Sequence, residues 1–273
     1  RYYADYERAI HAIGKASAGR GIYAGPGISI KLSALHPRYV RAQADRVMGE
    51  LLPAVKQLAL LSKRYDIGFN IDAEEADRLE LSLDLLESLA GDPDLAGWRG
   101  LGLAVQAYQK RAAALVDWLV ALARANNRRL MVRLVKGAYW DSDTVRYRQA
   151  GWPVPLFEQK ADTDANYEAL TPLLLRHRDV IRPAFGTHNL RSLAVIEATA
   201  ESLGVPPDAL EYQMIYGMAE PFQHAMAAHG RRVRLYTPVG RLLPGMAYLV
   251  RRLLENTSNE SFLRKEYVES QSL

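Results

Sequence analysis

A group of side chains near the C-terminus has the types and the spacing of a carboxylate clamp. In the segment MAYLVRRLLEN, four residues recur at i, i+3, i+4 and i+7, so a helix places them on one face. They are Tyr248, Arg251, Arg252 and Glu255. Two adjacent guanidinium groups can bind a carboxylate through paired hydrogen bonds, with the glutamate holding them in place. The same spacing fits an ordinary solvated face with an Arg–Glu pair, which is what spacing alone favours.

A lysine inside a strand-like run is the second candidate. In ISIKLS, which begins at Ile28, Lys31 lies on the face opposite Ile30. A charged group on a largely buried strand needs a partner or a ligand. One interpretation is a salt bridge with Asp72 on the neighbouring strand. The other is a Schiff-base lysine, which requires a depressed pKa. Both interpretations fit the residues.

Two further segments carry polar groups suited to a ligand. In RLVKGAYW, Arg133 and Lys136 supply two cations, and Gly137 lets the backbone approach a phosphate closely. In GTHN, His188 could be a ligand, a base or a hydrogen-bonded core residue, and the last is commonest. No second histidine has metal-ligand spacing, so we predict no metal site. The sequence has no GxGxxG motif, which argues against a Rossmann dinucleotide site but not against a nucleotide held at a barrel rim.

The elements that must position these residues alternate between strand and helix patterns, which indicates βαβ units and a parallel sheet. Strand-like runs begin at Ile28, Gly68, Leu101, Leu130, Arg182, Glu211 and Arg232. Helical spacing covers roughly residues 2–18, 38–65, 74–90, 107–127, 158–178, 190–203, 218–230 and 246–256. Several runs are apolar on one face only, which favours a barrel with a partly polar lumen over a doubly wound sheet.

The predicted fold is therefore α/β, a (β/α)8 TIM-type barrel formed as a single domain by residues 1–273. The polar faces end, at the C-terminal side of the strands, where barrel active sites lie. The residues at these ends are Lys31, Asp72, Gln106, Arg133 and Tyr236. Only seven strand-like runs are found, and the chain opens on Arg1 and a helical pattern. We therefore expect an N-terminally incomplete chain whose first barrel strand lies upstream.

Composition narrows the classes of protein that are compatible with the chain. Of its 273 residues, 49% are hydrophobic and 24% are charged, which is typical of a globular protein. A net charge of +4 gives no argument for a nucleic-acid surface. The absence of cysteine excludes disulfides, thiolate metal sites and a cysteine nucleophile, and it fits a reducing compartment. We find no apolar run long enough for a membrane-spanning helix.

Seven segments, in order along essentially the whole chain, resemble the proline dehydrogenase domain of bacterial bifunctional proline utilisation A. They are SIKLSALHPRY, FNIDAEEADRLELSLDLLE, GLGLAVQAYQKRA, RLVKGAYWD, FGTHN, EYQMIYGMAEP and YTPVGRLLPGMAYLVRRLLENTSNESF. The resemblance implies a distorted barrel that holds FAD at its C-terminal rim. It also implies oxidation of L-proline to Δ1-pyrroline-5-carboxylate by hydride transfer to flavin N5, with electrons passed to ubiquinone. The resemblance further implies a cytoplasmic protein that can associate with the inner membrane. It implies no nucleic-acid partner.

The resemblance also implies roles for individual residues. Lys31, Arg251 and Arg252 would bind the proline carboxylate, and Asp72 would hydrogen-bond nearby. The residues that would enclose the proline ring are Tyr139, Ile215, Tyr236 and Tyr248. Those that would contact FAD are Gln106, Arg133, Lys136, Gly137, Ala138, Trp140, Thr187, His188, Asn189 and Glu255. With this resemblance, Lys31 is interpreted as an electrostatic anchor for the carboxylate. Two functions are alternatives to proline oxidation: a Schiff-base lyase or aldolase that uses Lys31, and a non-catalytic carboxylate-binding domain.

Overall fold

The structure is a computed structural model that describes residues 2–239 of the chain. The chain divides into two compact units, Arg1–Leu235 and Tyr236–Leu273. Of the second unit, only residues 236–239 are described. The helix predicted at 246–256 therefore lies outside the described residues, and the single-domain assignment stays a prediction.

Within the described residues, seven strands form one sheet in which each strand follows its predecessor in the chain. They are β1 Gly27–Ile30, β2 Gly68–Ile71, β3 Leu101–Gln106, β4 Leu130–Val135, β5 Ile181–Gly186, β6 Glu211–Ile215 and β7 Val233–Tyr236. Pairing is parallel from β1 through β6. This confirms the predicted α/β barrel-type architecture, and each observed strand overlaps one of the predicted strand-like runs.

Ten helices accompany these strands in the described part of the chain. They are α1 Tyr2–Ser17, α2 Gly21–Ala24, α3 Leu32–Leu35, α4 Ala44–Arg64, α5 Leu79–Gly91, α6 Ala112–Ala125, α7 Trp140–Gln149, α8 Lys160–Arg176, α9 Leu190–Ser202 and α10 Glu220–Ala228. Short 3-10 turns occupy Arg41–Gln43, Ala76–Arg78, Pro93–Leu95 and Pro207–Ala209. In this part of the chain we find no helix that combines the length and the apolar character needed to cross a membrane.

The hydrophobic core lies between the helices and the outer face of the sheet. Helix α4 shows why its sequence folds this way, since Val47, Leu51, Val55 and Leu58 recur on one stripe and are all buried. They belong to the same core as Ile30 of β1. Burying each such side chain contributes roughly 1.5–3 kcal/mol, so this packing orients α4 against the sheet.

The inner face of the sheet is polar, and its contacts show how strongly the sheet curves. Arg133 of β4 hydrogen-bonds Ser29 of β1, Asp72 at the end of β2 and Gln213 of β6. Strands three positions apart in a flat sheet lie roughly 14 Å apart, too far for such contacts. The sheet therefore wraps around a polar lumen, as the alternating strand patterns predicted.

Two local features differ from the sequence prediction. The first strand ends at Ile30 instead of Ser33, because the Lys31 backbone N–H donates to the Tyr6 hydroxyl at 3.0 Å and helix α3 begins at Leu32. Helix α7 was not predicted. Its segment WDSDTVRYRQ lacks an apolar stripe, and its only buried residues are Asp143 and Thr144.

Candidate functional site

Arg133 lies at the centre of the polar lumen and is itself buried. Its Nη1 lies 2.6 Å from Asp72 Oδ1, and its Nη2 lies 2.6 Å from Ser29 Oγ. Its Nε donates to Gln213 Oε1 at 2.5 Å. Two strands, β1 and β6, and the residue that follows β2 thus fix one guanidinium group, because its five N–H donors point in set directions within a plane.

Asp72 joins this guanidinium to the second cation of the site. One carboxylate oxygen pairs with Arg133, and the other lies 3.8 Å from Lys31 Nζ. The Asp72 side chain is 9% exposed, so the low polarity around it strengthens both attractions. The salt bridge that the sequence suggested between Lys31 and Asp72 is therefore present.

Lys31 stands at the end of β1 with its ammonium group beside an aromatic ring. Its Nζ donates to Tyr139 Oη at 3.3 Å and lies 5.8 Å from the centroid of that ring. Burial lowers the pKa of Lys31, but the charge of Asp72 and the contact with Tyr139 outweigh it and leave the pKa above its ordinary value. Lys31 is thus a cation at neutral pH, which argues against a Schiff-base role.

Tyr6 is a site residue that sequence reasoning missed. It lies on α1, and its hydroxyl accepts the Lys31 backbone N–H at 3.0 Å. This contact holds the backbone of Lys31 at the point where β1 ends and α3 begins. The sequence gives no signal for it, because Tyr6 is one of several tyrosines in an amphipathic helix 25 residues from its partner.

The loop after β4 combines a cation with an unusual backbone conformation. Gly137 has φ +132°, and a Cβ there would lie 2.4 Å from the Tyr108 ring, so the position requires glycine. Lys136 Nζ pairs with Asp164 Oδ1 at 2.5 Å, and Lys160 shares the same carboxylate at 2.7 Å. Ala138 follows in this loop. The cationic, glycine-containing loop expected from RLVKGAYW is therefore present.

Trp140 begins helix α7 and is partly exposed, with its Nε1 donating to the Phe157 carbonyl at 2.9 Å. The next helical turn carries Asp143, which is fully buried and accepts the Ala76 N–H at 3.0 Å. Chiefly through burial, the pKa of Asp143 is raised to about 6. Asp143 thus ties the loop after β2 to the helix that follows Tyr139.

This buried carboxyl predicts a pH dependence of stability. Because the folded-state pKa of Asp143 lies above its unfolded value, its ionisation cost appears as pH rises from about 4 to 6 and persists above that range. Asp143→Asn keeps the oxygen that accepts from Ala76 and removes the ionisation. We expect the free energy of unfolding of the wild type, relative to Asp143→Asn, to fall by about 2 kcal/mol between pH 4 and 7. Urea unfolding at each pH measures it, and a pH-independent difference would contradict the assignment.

The ends of β5 and β6 are joined through His188. Its Nε2 accepts the Ile215 backbone N–H at 2.9 Å, so in the neutral ring the proton lies on Nδ1. Asn189 caps helix α9 by accepting the Ser192 N–H at 3.0 Å. Thr187 Oγ1 accepts the Asn189 N–H at 3.1 Å. All three residues thus have hydrogen-bonding roles, and their contact with FAD stays a prediction.

Gln106 ends β3 and connects to a second residue that the sequence analysis did not single out. Its Nε2 donates to the Glu74 carbonyl at 3.1 Å, and its Oε1 accepts from Gln109 at 2.7 Å. The Glu74 carboxylate accepts the Ser33 N–H at 3.0 Å and pairs with Arg78 at 3.1 Å. Glu74 therefore anchors the start of α3. It thereby also anchors Lys31, the residue immediately before that helix.

The structure brings together several residues that the sequence predicted for one site. Lys31, Asp72, Arg133 and Tyr139 form one bonded network, while His188 and Ile215 form a second contact. Tyr236 is the last residue of β7 and belongs to the second unit. Outside the described residues lie Tyr248, Arg251, Arg252 and Glu255.

Comparison with known proteins identifies the family to which this arrangement belongs. The family described as proline dehydrogenase matches residues 1–265 of the chain. This chain belongs to the proline dehydrogenase family. The family match covers both the described network and the C-terminal segment that carries the two adjacent arginines.

Individual relatives agree with this assignment. The bifunctional protein PutA of Salmonella typhimurium is 54% identical over an alignment of 271 residues that covers 97% of this chain and 20% of that protein. The proline dehydrogenase of Deinococcus radiodurans is 30% identical over 240 residues, covering 87% of this chain and 68% of that protein. The chain therefore spans about a fifth of the length of the bifunctional relatives it matches.

Solved structures have a similar fold. A proline utilization A structure from Bradyrhizobium japonicum has a TM-score of 0.91 at 48% identity, covering 97% of this chain and 27% of that one. A Bdellovibrio bacteriovorus protein inactivated by N-propargylglycine has a TM-score of 0.92 at 38% identity, covering 99% and 29%. The distorted barrel implied by the resemblance is thus the fold of this family, in agreement with the barrel expected from the strand patterns.

Proposed function

We propose that this chain oxidises L-proline to Δ1-pyrroline-5-carboxylate with FAD as its cofactor. The observation that carries the proposal is the Lys31–Asp72–Arg133 network in a member of the proline dehydrogenase family. Lys31 and Asp72 directly follow β1 and β2, and Arg133 lies in the C-terminal half of β4. Active sites of barrel enzymes lie at this end of the strands. A cation beside an aromatic ring suits a small amino acid with a carboxylate and an apolar ring.

The donor set at the ends of β4 and β5 fits a flavin dinucleotide. Arg133 and Lys136 supply cations for a diphosphate, and the conformation of Gly137 permits close approach of its backbone. Thr187 and Asn189 lie at the N-terminal end of α9, which favours anionic groups. When bound, FAD would supply the acceptor for the hydride that leaves the proline carbon next to nitrogen. Other residues proposed to contact it are Gln106, Ala138, Trp140, His188 and Glu255.

The residues of this chain would bind the substrate and orient it. The Lys31 ammonium would attract the proline carboxylate, together with Arg251 and Arg252, and so fix which face of the ring meets the cofactor. Tyr139 would cover the ring and keep water away from it. Ile215, Tyr236 and Tyr248 are proposed to complete this enclosure. Asp72 would hold Lys31 in position. Proline must lose its amine proton, and the reaction needs no strong general base for any other step.

We further propose a quinone as the electron acceptor, with peripheral association at the inner membrane. The support is the resemblance of the seven segments to the proline dehydrogenase domain of proline utilisation A. Reduced enzyme mixed with ubiquinone-1 is expected to return to the oxidised flavin spectrum. Reoxidation no faster than in buffer without quinone would contradict this acceptor.

The paired arginines carry a separate prediction. Arg252→Met removes one of the two guanidinium groups of the clamp and is expected to weaken proline binding about a hundredfold, with FAD retained. Titration of the flavin spectrum with proline measures the dissociation constant. Unchanged proline affinity would contradict the carboxylate-clamp assignment.

A product assay tests the proposed reaction against its alternative. Incubation with proline and an artificial electron acceptor should release a cyclic imine, which o-aminobenzaldehyde traps as a coloured adduct. A Schiff-base lyase would instead be labelled at Lys31 by borohydride in the presence of a carbonyl substrate. Imine without Lys31 labelling supports the proposal, whereas labelling without imine would overturn it.

A further inference from the structure

A chain of buried polar contacts continues from Arg133 toward the N-terminal end of the lumen. Gln213 Nε2 donates to Glu211 Oε1 at 2.6 Å. Glu211 is 0% exposed and forms two hydrogen bonds with Arg234, at 2.9 Å and 3.1 Å. Arg234 in turn donates to the Gly25 carbonyl at 2.7 Å, in the segment before β1. The far end of the chain is therefore anchored to backbone.

The charge state of Glu211 decides which way the Gln213 amide points. Burial raises the pKa of Glu211, but the Arg234 guanidinium outweighs it and holds the pKa below its ordinary value. An ionised carboxylate only accepts hydrogen bonds, so the NH2 group of Gln213 must face it. The amide oxygen then faces the other way, where it accepts from Arg133 Nε at 2.5 Å.

The reversed amide is unfavourable on both sides. It would place the Gln213 oxygen against the Glu211 carboxylate and its NH2 group against the Arg133 guanidinium, which has donors only. The Gln213 NH2 group would then lose its acceptor, Glu211, and the Arg133 Nε–H would lose the Gln213 oxygen. Leaving buried polar groups without these hydrogen bonds costs free energy. The carboxylate thus selects one of two orientations that differ little in shape.

We propose that Glu211 is a positioning residue for Arg133: it orients the Gln213 amide so that its oxygen holds the Arg133 guanidinium toward the flavin site. The proposal deepens the proposed function and rests on it in one respect, the contact of Arg133 with FAD. It assigns a role to the Glu-x-Gln sequence of β6, which otherwise reads as two polar residues on the inner face of a strand.

The test compares a single substitution with a charge exchange. Glu211→Gln removes the acceptor-only group, so the Gln213 amide is free to reverse. The double variant Glu211→Gln with Gln213→Glu moves the carboxylate one position up the strand face. There the new carboxylate accepts directly from Arg133, while the new amide donates to it and accepts from Arg234. The net charge is retained, and Arg234 keeps one of its two hydrogen bonds to position 211, because an amide has a single oxygen.

Flavin affinity is the first readout, measured by titrating the flavin-free full chain with FAD and following flavin fluorescence. We expect Glu211→Gln to weaken FAD binding about tenfold and the exchange variant to recover it to within about threefold of wild type. Glu197→Gln is the matched control, because Glu197 pairs with Tyr212 and Arg231 and not with Arg133. It should lower the unfolding temperature and leave FAD affinity unchanged.

The second readout does not need flavin. In the full chain labelled with 15N-arginine and free of FAD, the Arg133 Nε–H should give a protected, downfield-shifted proton signal. Glu211→Gln should shift that signal and speed its exchange with water, whereas the exchange variant should keep it protected. If the wild type shows this pattern but binds no FAD, the proposed function fails and the positioning role stands.

Two results would overturn the positioning role. One is an Arg133 signal and an FAD affinity that Glu211→Gln leaves unchanged. The other is an exchange variant that folds, judged by its circular dichroism, yet is no better than Glu211→Gln in either readout. If Glu211→Gln does not fold, the exchange variant and Gln213→Leu, which removes the amide between Glu211 and Arg133, decide the question by the same two measurements.

Discussion

Replacing Arg133 with methionine is expected to lower the free energy of unfolding by about 3–5 kcal/mol and to abolish retention of FAD. Arg133 Nη1 lies 2.6 Å from the buried Asp72 carboxylate, and its other nitrogens bond Ser29 and Gln213. Methionine fills a similar volume but leaves Asp72 as a buried charge without its shortest ion pair. The flavin site loses a cation at the same time. Denaturant unfolding and flavin absorbance of the purified protein measure the two effects.

A double substitution separates these effects. Asp72→Asn combined with Arg133→Met removes both charges, so we expect most of the lost stability to return while FAD remains unbound. Arg133→Lys is the matched control for charge, since it keeps the cation but not the fork of donors. A single Arg133→Met variant that still binds FAD as tightly as wild type would contradict the role given to Arg133.

Replacing Lys31 with methionine is expected to weaken proline binding about a hundredfold while FAD stays bound. Lys31 is a cation held by Asp72 at 3.8 Å and by Tyr139 at 3.3 Å, so its ammonium group is already in place before substrate arrives. Methionine keeps the length of the side chain and removes the charge. The measurement is the proline dissociation constant from flavin spectra, with Lys15→Met on α1 as a control that changes charge away from the site.

The outcome for Lys31→Met also discriminates between chemistries. A loss confined to proline affinity, with the bound substrate still reducing flavin, is expected of an electrostatic anchor. Complete loss of turnover with proline affinity unchanged would instead mean that Lys31 takes part in the chemical step. That result would contradict the role of Lys31 as an electrostatic anchor and would favour the Schiff-base interpretation.

Sequence patterns predicted the parts of the site that follow from strand periodicity. Lys31, Asp72, Gln106 and Arg133 were placed at the C-terminal ends of strands because polar residues alternate there with apolar ones. The parallel order of the strands then required these ends to meet at one rim. The structure brings Lys31, Asp72 and Arg133 into one network, so period-two alternation was sufficient to find them.

The remaining features depend on contacts that periodicity does not encode. Helix α7 is held by the buried Asp143, not by an apolar stripe, so its segment has no hydrophobic signature. Tyr6 reaches Lys31 from a helix distant in sequence. Glu211 and Gln213 were visible as polar residues of a strand, but the direction of the amide between them depends on Arg234. Such partners become apparent only when the sheet is curved around its lumen.

The most direct test of proline oxidation by this chain is an anaerobic titration of the FAD-loaded protein with L-proline. We expect the visible absorbance of the oxidised flavin to bleach in proportion to the proline added, and the Lys31→Met variant to require far more proline for the same change. A flavin spectrum that saturating proline leaves oxidised, or a chain that takes up no FAD on reconstitution, would contradict this expectation.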